Sequence, residues 1–266
     1  MPRLMTSTSA VSALVVTPDV ANSPPRVLLE VTLATDATIS ILRQDPDGRW
    51  RPVRGAEPAA LAGGTWTGWD YEAPYGVDVT YQLVAASGTQ TFGPYRLEVS
   101  LPWLIHPGVP SRSVAIRVQS LSEITTPIRQ GVFAVLGRST PVVVSQQRDA
   151  DMYNLVLRTD GPNDHGLLRE VLADGSTLLL NIPDSLGWDF TDGWISVGEV
   201  KTRRLAGYGT DPVRYLDLPV RLVDRPAGGQ QSQWTCDTLL SEQSSCDTLL
   251  ASYASCSTLA AHRRAA

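Results

Sequence analysis

The chain is poor in residues that do chemistry. Histidine occurs three times: His106 in a proline-rich stretch, His165 near a predicted helix start and His262 in the terminal tail. No two share an element, so no local motif brings a nucleophile, a base and a carboxylate together. No Gly-x-Ser-x-Gly turn is present to raise a serine above a strand end. Cysteine also occurs three times, at Cys236, Cys246 and Cys256. An odd set confined to one end cannot staple the main body, which fits synthesis in a reducing cytoplasm. Without a Lys/Arg cluster to neutralise phosphates, neither nucleic acid nor an anionic membrane surface is an expected partner. No stretch approaches the roughly 20 continuous apolar residues of a membrane span. Ser and Thr break the apolar run that follows Arg3, so neither a signal peptide nor an anchor is expected.

What is present describes a folded protein with protein partners. The 266 residues are 42% hydrophobic and 18% charged with a net charge of −5, the composition of an ordinary globular chain with room for about two domains. From 13 to 100, short β-branched or alternating runs are separated by turn residues at near-regular spacing. They cover 13–17, 26–33, 38–43, a segment from Trp50, 66–71, 77–85 and 89–99, about seven strands. Val27, Leu29, Val31 and Leu33 share one face. Asp45-Pro46-Asp47-Gly48 is a tight turn, and Ala86-Ser87-Gly88 is a hairpin link. This count and spacing predict a fibronectin type III or immunoglobulin-like sandwich over 1–100.

Three prolines within 102–110 argue against a ladder or a helix there, so that segment is expected to be a linker. A second β-rich domain over 101–228 follows, with strands at 114–121, 131–136, 141–145, 153–159, 177–182, 194–200 and 215–223. Between them, Leu167, Leu168, Val171 and Leu172 fall at helical spacing. The turn Asp160-Gly161-Pro162-Asn163-Asp164 offers an Asn or Asp cap to open this one short helix, and Asp174-Gly175 closes it. Residues 229–266 repeat every ten residues: Thr235-Cys236-Asp237-Thr238-Leu239-Leu240, Ser245-Cys246-Asp247-Thr248-Leu249-Leu250 and Ser255-Cys256-Ser257-Thr258-Leu259-Ala260. Ten steps of ~100° rotate equivalent side chains out of phase, so three short capped helical turns suit this spacing better than one straight helix. Such units cannot bury their leucines alone. Trp234, Leu239, Leu240, Leu249, Leu250, Tyr253 and Leu259 are therefore the candidate partner-binding residues of a C-terminal arm.

Several segments in order resemble the minor tail proteins of siphoviruses and prophages of actinobacteria, whose central domain is similar to distal tail proteins. They are Val16-Thr17-Pro18-Asp19 with Asn22 to Val27, Asp70 to Gly76 with Val79-Thr80-Tyr81, and Arg129-Gln130-Gly131-Val132-Phe133 with Val135 to Arg138. Pro141 to Val144, Val197 to Val200, and Leu218-Pro219-Val220 with Val223 to Pro226 follow. The resemblance implies a ring-forming virion subunit, trimeric or hexameric, at the junction of tail tube and tip. Its partners would be itself, the tube protein, and the hub, baseplate and other minor tail proteins. It implies no catalytic residue and no cofactor. The family's tail end usually repeats a Thr-Trp-x-x-Leu-type unit, and here the cysteines stand where the aromatic would be. That departure leaves the arm's partner open.

Other chemistries are weaker. Asp149 with Asp151, or Asp189 with Asp192, could serve as the two carboxylates of a glycoside hydrolase, but both pairs lie in turn-like stretches. Asp47 and Asp160, each before glycine, are turn formers. The cysteines with His262 lack the close ligand pair of a structural zinc site, so intermolecular disulfides or burial as small apolar side chains stay open. The aromatic group Trp50, Trp66, Trp69, Tyr71 and Tyr75 offers an alternative function, adhesion to host-surface carbohydrate through Trp66, Trp69 or Tyr75. Trp66 and Trp69 fall on opposite faces of a regular strand.

Overall fold

A computed structural model describes residues 13–226 apart from 34–37, 62, 122, 135, 137–138, 141, 189–190 and 206–210. The C-terminal arm, with Trp234, Leu239, Leu240, Leu249, Leu250, Tyr253, Leu259, the three cysteines and His262, lies outside these residues, as does Asp189. The chain is mainly β, in antiparallel sheets, with a single α-helix among the described residues.

The first half folds as a sandwich. Its strands are β1 (Ala13–Asp19), β2 (Arg26–Thr32), β3 (Thr38–Gln44), β4 (Trp50–Pro52), β5 (Ala59–Ala60), β6 (Thr65–Asp70), β7 (Asp78–Ala85) and β8 (Gly88–Arg96). One sheet runs β1-β2-β6; the other runs β4-β3-β7-β8, with β5 also on β3. Alternation fixes which side chains meet. Leu14, Val16, Val27, Leu29 and Val31 of the first sheet bury against Ile39, Ile41, Val79, Tyr81 and Leu83 of the second, so one residue of slip would turn either row out to water. The expected turn forms at 45–48. Gly48 adopts φ +77°, a backbone shape that costs glycine least, and its N–H bonds to the Asp45 carbonyl at 2.9 Å.

The second half contains β9 (Trp103–Ile105), β10 (Val114–Ala115), β11 (Val118–Leu121), β12 (Ile128–Phe133), β13 (Val142–Arg148), β14 (Met152–Thr159), α1 (Pro162–Leu172), β15 (Leu178–Asn181), β16 (Gly193–Val197), β17 (Lys201–Arg204) and β18 (Arg214–Leu222). The main sheet runs β10-β9-β15-β16-β18-β14-β11, with β17 following β16 along the same side of β18. β10 and β11 sit at opposite edges of that order yet are neighbours in sequence. The segment 114–121 therefore pairs with β9 through its first residues and with β14 through its last, closing the sheet on itself. Inside lie Leu104, Leu155, Leu157, Leu178, Leu180, Ile195, Leu216 and Leu218, covered by Leu168 and Val171 of α1.

Two expectations are corrected. The stretch 102–110 is not a linker throughout: Trp103–Ile105 is a strand between β10 and β15, because its three prolines flank this tripeptide and leave its N–H groups free to pair. The helix is opened by Gly161 with no side-chain cap, rather than by an Asn or Asp of the turn Asp160 to Asp164. Pro162 takes the first helical position, where its missing N–H costs nothing.

The halves share an apolar contact. In β15, Leu178 and Leu180 point into the closed sheet while Leu179, with Ile105, packs against the first sandwich. That is why three consecutive leucines are tolerated: both faces of the strand are covered. Asn181 bridges the halves, donating to the Ala73 carbonyl at 2.8 Å and accepting the Tyr75 N–H at 3.2 Å. Arg54 and Arg225 both pair with Glu72, at 2.6 and 2.8 Å.

Candidate interaction surface

Strands β12 and β13 form a two-stranded sheet of their own. The bridge between Thr125 and Met152 shows that they prolong the β11–β14 ladder beyond the end of the main sheet. Val132 faces Val143, and on the other side Phe133 faces Val142 and Gly131 faces Val144. The Phe133 ring lies over Gly131, where a Cβ would stand 2.8 Å from a ring carbon. Apolar side chains thus project from both faces, and Val132, Phe133, Leu136, Val142, Val143 and Val144 are all exposed, Leu136 completely. An isolated two-stranded hairpin is marginal in water. Exposed apolar residues gathered on both faces of one hairpin make it a candidate interaction surface.

The base of the hairpin is clamped by the acidic pair Asp149 and Asp151. Asp149 accepts from Arg221 at 3.4 Å, Asp151 accepts from the Thr126 hydroxyl, and the Asp149 N–H reaches the Pro127 carbonyl at 2.8 Å. This pair does structural work at a strand junction. Asp160 similarly ties Arg117 to Arg158 across the closure of the sheet, and Asp47 accepts the Arg49 N–H in its turn.

The aromatic residues of the first half do not share one surface. Tyr75 is 1% exposed and is the core side chain beside the junction, because its N–H is held by Asn181; burial raises its pKa. Trp66 points inward against the sandwich core. Trp69, on the opposite face as the alternation requires, is 39% exposed, with the Arg26 guanidinium 5.0 Å from its ring centre. Trp50 is also exposed, while Tyr71 packs at the core margin and accepts a hydrogen bond from Arg26.

A cleft of about 660 Å³ opens between the halves, its walls including Arg51, Asp184, Trp188, Asp192, Trp194 and Asp224. Burial raises the Asp192 pKa, although the Ile182 N–H bonds to its carboxylate. Deeper in the sandwich, Asp70 accepts from Arg43 at 2.7 and 3.0 Å and from the Tyr81 hydroxyl at 3.0 Å. Burial works against the Arg43 charge, but Asp70 and Asp45 outweigh it and the pKa is raised.

His106 is buried rather than a linker side chain. Its Nδ1 accepts the Val109 N–H at 3.0 Å, so the proton sits on Nε2 and is donated to Asp174 at 2.8 Å. The nearby Ser113 hydroxyl accepts the His106 backbone N–H at 3.0 Å and does not reach the ring. Both ring nitrogens of His106 are thus engaged within the fold. His165 lies in the first turn of α1, where burial, Arg169 and Arg214 lower its pKa. Among the described residues no group of three or more His, Cys, Asp or Glu could hold a metal ion, and no helix is long and apolar enough to cross a membrane.

No known protein family and no curated protein matches this chain.

The hairpin was only half legible in the sequence. Strands at 131–136 and 141–145 were expected, but their apolar residues read equally as core. The signal available was apolar character on consecutive positions, at 132–133 and 142–144, beside a strand partner of the same kind.

Proposed function

We propose that this chain is a structural subunit of a bacteriophage tail tip, one copy in a multi-copy ring where the tail tube meets the tip complex. The observation that carries the reading is the β12–β13 hairpin, whose apolar residues stand exposed on both faces, as a docking surface for another protein would. The ordered resemblance to actinobacterial minor tail proteins supplies the setting. On this reading the first half is a fibronectin type III-like module, supported by eight strands divided three and five between two antiparallel sheets. The second half is the distal-tail-like, ring-forming domain. The arm over 229–266 docks Trp234, Leu239, Leu240, Leu249, Leu250, Tyr253 and Leu259 on an adjacent protein. The virion is its location, the partners are other copies, the tube protein and the hub or baseplate, and it catalyses nothing.

Mixing the purified chain with tail tube and hub proteins and weighing the complexes by mass photometry tests this. Trimeric or hexameric assembly, or incorporation onto the tube end, is expected. A persistent monomer that joins neither refutes it. A second reading, host-surface carbohydrate adhesion, draws on the cleft with Trp188 and Asp192 in place of Trp66, Trp69 and Tyr75. It predicts that cell-wall retention is lost on Trp188→Ala and kept on Trp69→Ala.

A further inference from the structure

The topology brings the exposed hairpin and the start of the C-terminal arm to one place. β18 runs antiparallel to β14, so its last residues lie beside the first residues of β14. Arg221 pairs with Met152, and the Leu222 N–H bonds to the Asp151 carbonyl at 3.0 Å. Met152 also bridges to Thr125, at the foot of the β12–β13 hairpin. The chain therefore leaves the main sheet at the base of the hairpin, and the leucine repeats follow it in sequence.

We propose that, before assembly, residues 234–250 of the arm fold back onto the hairpin of the same chain and cap the face formed by Phe133, Val142 and Val144. The inference rests on the docking roles given above to the hairpin and the arm, and adds how the free subunit keeps both covered until its neighbours arrive.

Reach, charge and apolar area select the chain's own arm as the occupant. The backbone from Leu222 to Pro226 spans at most about 14 Å, and the stretch from Pro226 to Trp234 at most about 29 Å. β12, with its 6 residues, is about 20 Å long. Trp234 can thus stand at the hairpin base, with Leu239 to Leu250 along the strands. Residues 124–148 contain Arg129, Arg138 and Arg148 and no Asp or Glu, whereas 227–261 contain Asp237, Glu242 and Asp247 and no Lys or Arg. A positive hairpin and a negative arm in an acidic chain are a complementary pair. The Phe133 ring lies over Gly131 between Val142 and Val144, a larger apolar face than Val132 and Val143 make on the other side, so it gains more from cover. The tether holds the arm at roughly millimolar local concentration, above that of a partner free in solution. Within a particle the neighbours are held equally close, and exchanging the arm between copies then costs little. Left bare, an uncharged β-prone run such as 142–145 invites strand-to-strand aggregation, which the cap prevents.

All three cysteines lie in the arm, so thiol alkylation of the full-length protein reads the contact directly. In the dilute parent chain Cys236 and Cys246 should react about tenfold more slowly than in urea, the factor that ~1.4 kcal/mol of docking energy gives, while Cys256, beyond the capping residues, serves as the internal reference. An intramolecular contact keeps this protection unchanged over about a hundredfold dilution. Val144→Asp should abolish it and Val143→Asp, on the opposite face, should preserve it, with circular dichroism checking that both variants fold. Should Val144→Asp disturb the hairpin itself, Arg129→Glu with Arg148→Glu decides the matter, since it leaves every valine in place and should also release both thiols. A photo-crosslinking residue at position 144 should join peptides from 234–250 within a single chain. Thiols as reactive in the native parent as in urea overturn the cap. So does protection that survives the charge reversal, or that survives Val144→Asp in a folded chain, and equal release by Val143→Asp overturns the face assigned. Protection that fades on dilution gives the arm to a second copy and overturns the self-contact while leaving the multi-copy reading intact. That reading fails separately, when the chain joins neither tube nor hub protein, whatever the thiols show.

Discussion

Removing the Asp70 carboxylate tests whether the first sandwich depends on its buried charge network. Asp70 is 2% exposed and accepts two contacts from Arg43 at 2.7 and 3.0 Å, the Tyr81 hydroxyl at 3.0 Å and the Glu72 N–H at 2.9 Å. Asp70→Ala leaves the Arg43 guanidinium with Asp45 as its remaining carboxylate and strands the Tyr81 hydroxyl in the core. Breaking one side of a buried pair costs about 3–5 kcal/mol, a large share of the ~5–15 kcal/mol that holds a typical domain together. With an m-value near ~2 kcal/mol/M, the urea midpoint should fall by roughly 2 M. Arg43→Met with Asp70→Leu replaces the pair by apolar groups and leaves Asp45 with Arg51, so it should recover at least half of the loss. Tyr81→Phe alone should cost ~1.5–3 kcal/mol, the worth of a hydrogen bond to a charged group. In an Asp70→Ala background most of that cost should vanish. A loss below about 1 kcal/mol for Asp70→Ala, or a double variant no more stable than the single one, would refute the reasoning.

Asn181→Ala should cost about 1–3 kcal/mol, because it leaves the Ala73 carbonyl and the Tyr75 N–H unpaired at the junction; calorimetry should then resolve two melting steps where the parent shows one. The Asp174 pKa lies at about 2, below its ordinary value of 3.8, held there first by the Ser176 N–H and then by the His106 ring. A lowered carboxylate pKa stabilises the fold above the unfolded value, so that contribution is complete above about pH 4 and drains as pH falls toward 2. Asp174→Asn should flatten this part of the acid-unfolding profile, and an unchanged profile would remove the carboxylate from the account. Trp69→Ala should cost only about 0.5–1 kcal/mol by chemical denaturation, since the residue is 39% exposed and its ring stacks with the surface Arg26 guanidinium.

Residue pattern alone carried the mainly β class, the order of most strands and the one helix among the described residues. The alternation over 26–33, 38–43 and 77–85 can be satisfied only by strands with one buried face, and Asp45 to Gly48 can only turn. Three short strands escaped notice. Ala59–Ala60 and Lys201–Arg204 show no alternation, and they pair because β3 and β18 present open edges to them. Trp103–Ile105 was obscured by its flanking prolines. The candidate surface was legible as strands but not as surface. Val132, Val143 and Leu104 are equally apolar in sequence, and hydropathy cannot tell which of them finds a partner within the same chain.

Local chemistry therefore determined what this protein is made of: alternating strands, with turns at glycine and aspartate. Tertiary structure decided which apolar rows are covered. Tyr75, a candidate contact by composition, is sealed beneath Asn181, while the valines of β12 and β13 are carried past the end of the sheet into water. Burial depends on what lies opposite a side chain, and that is set by strand order and register across distant parts of the chain, which no local window contains.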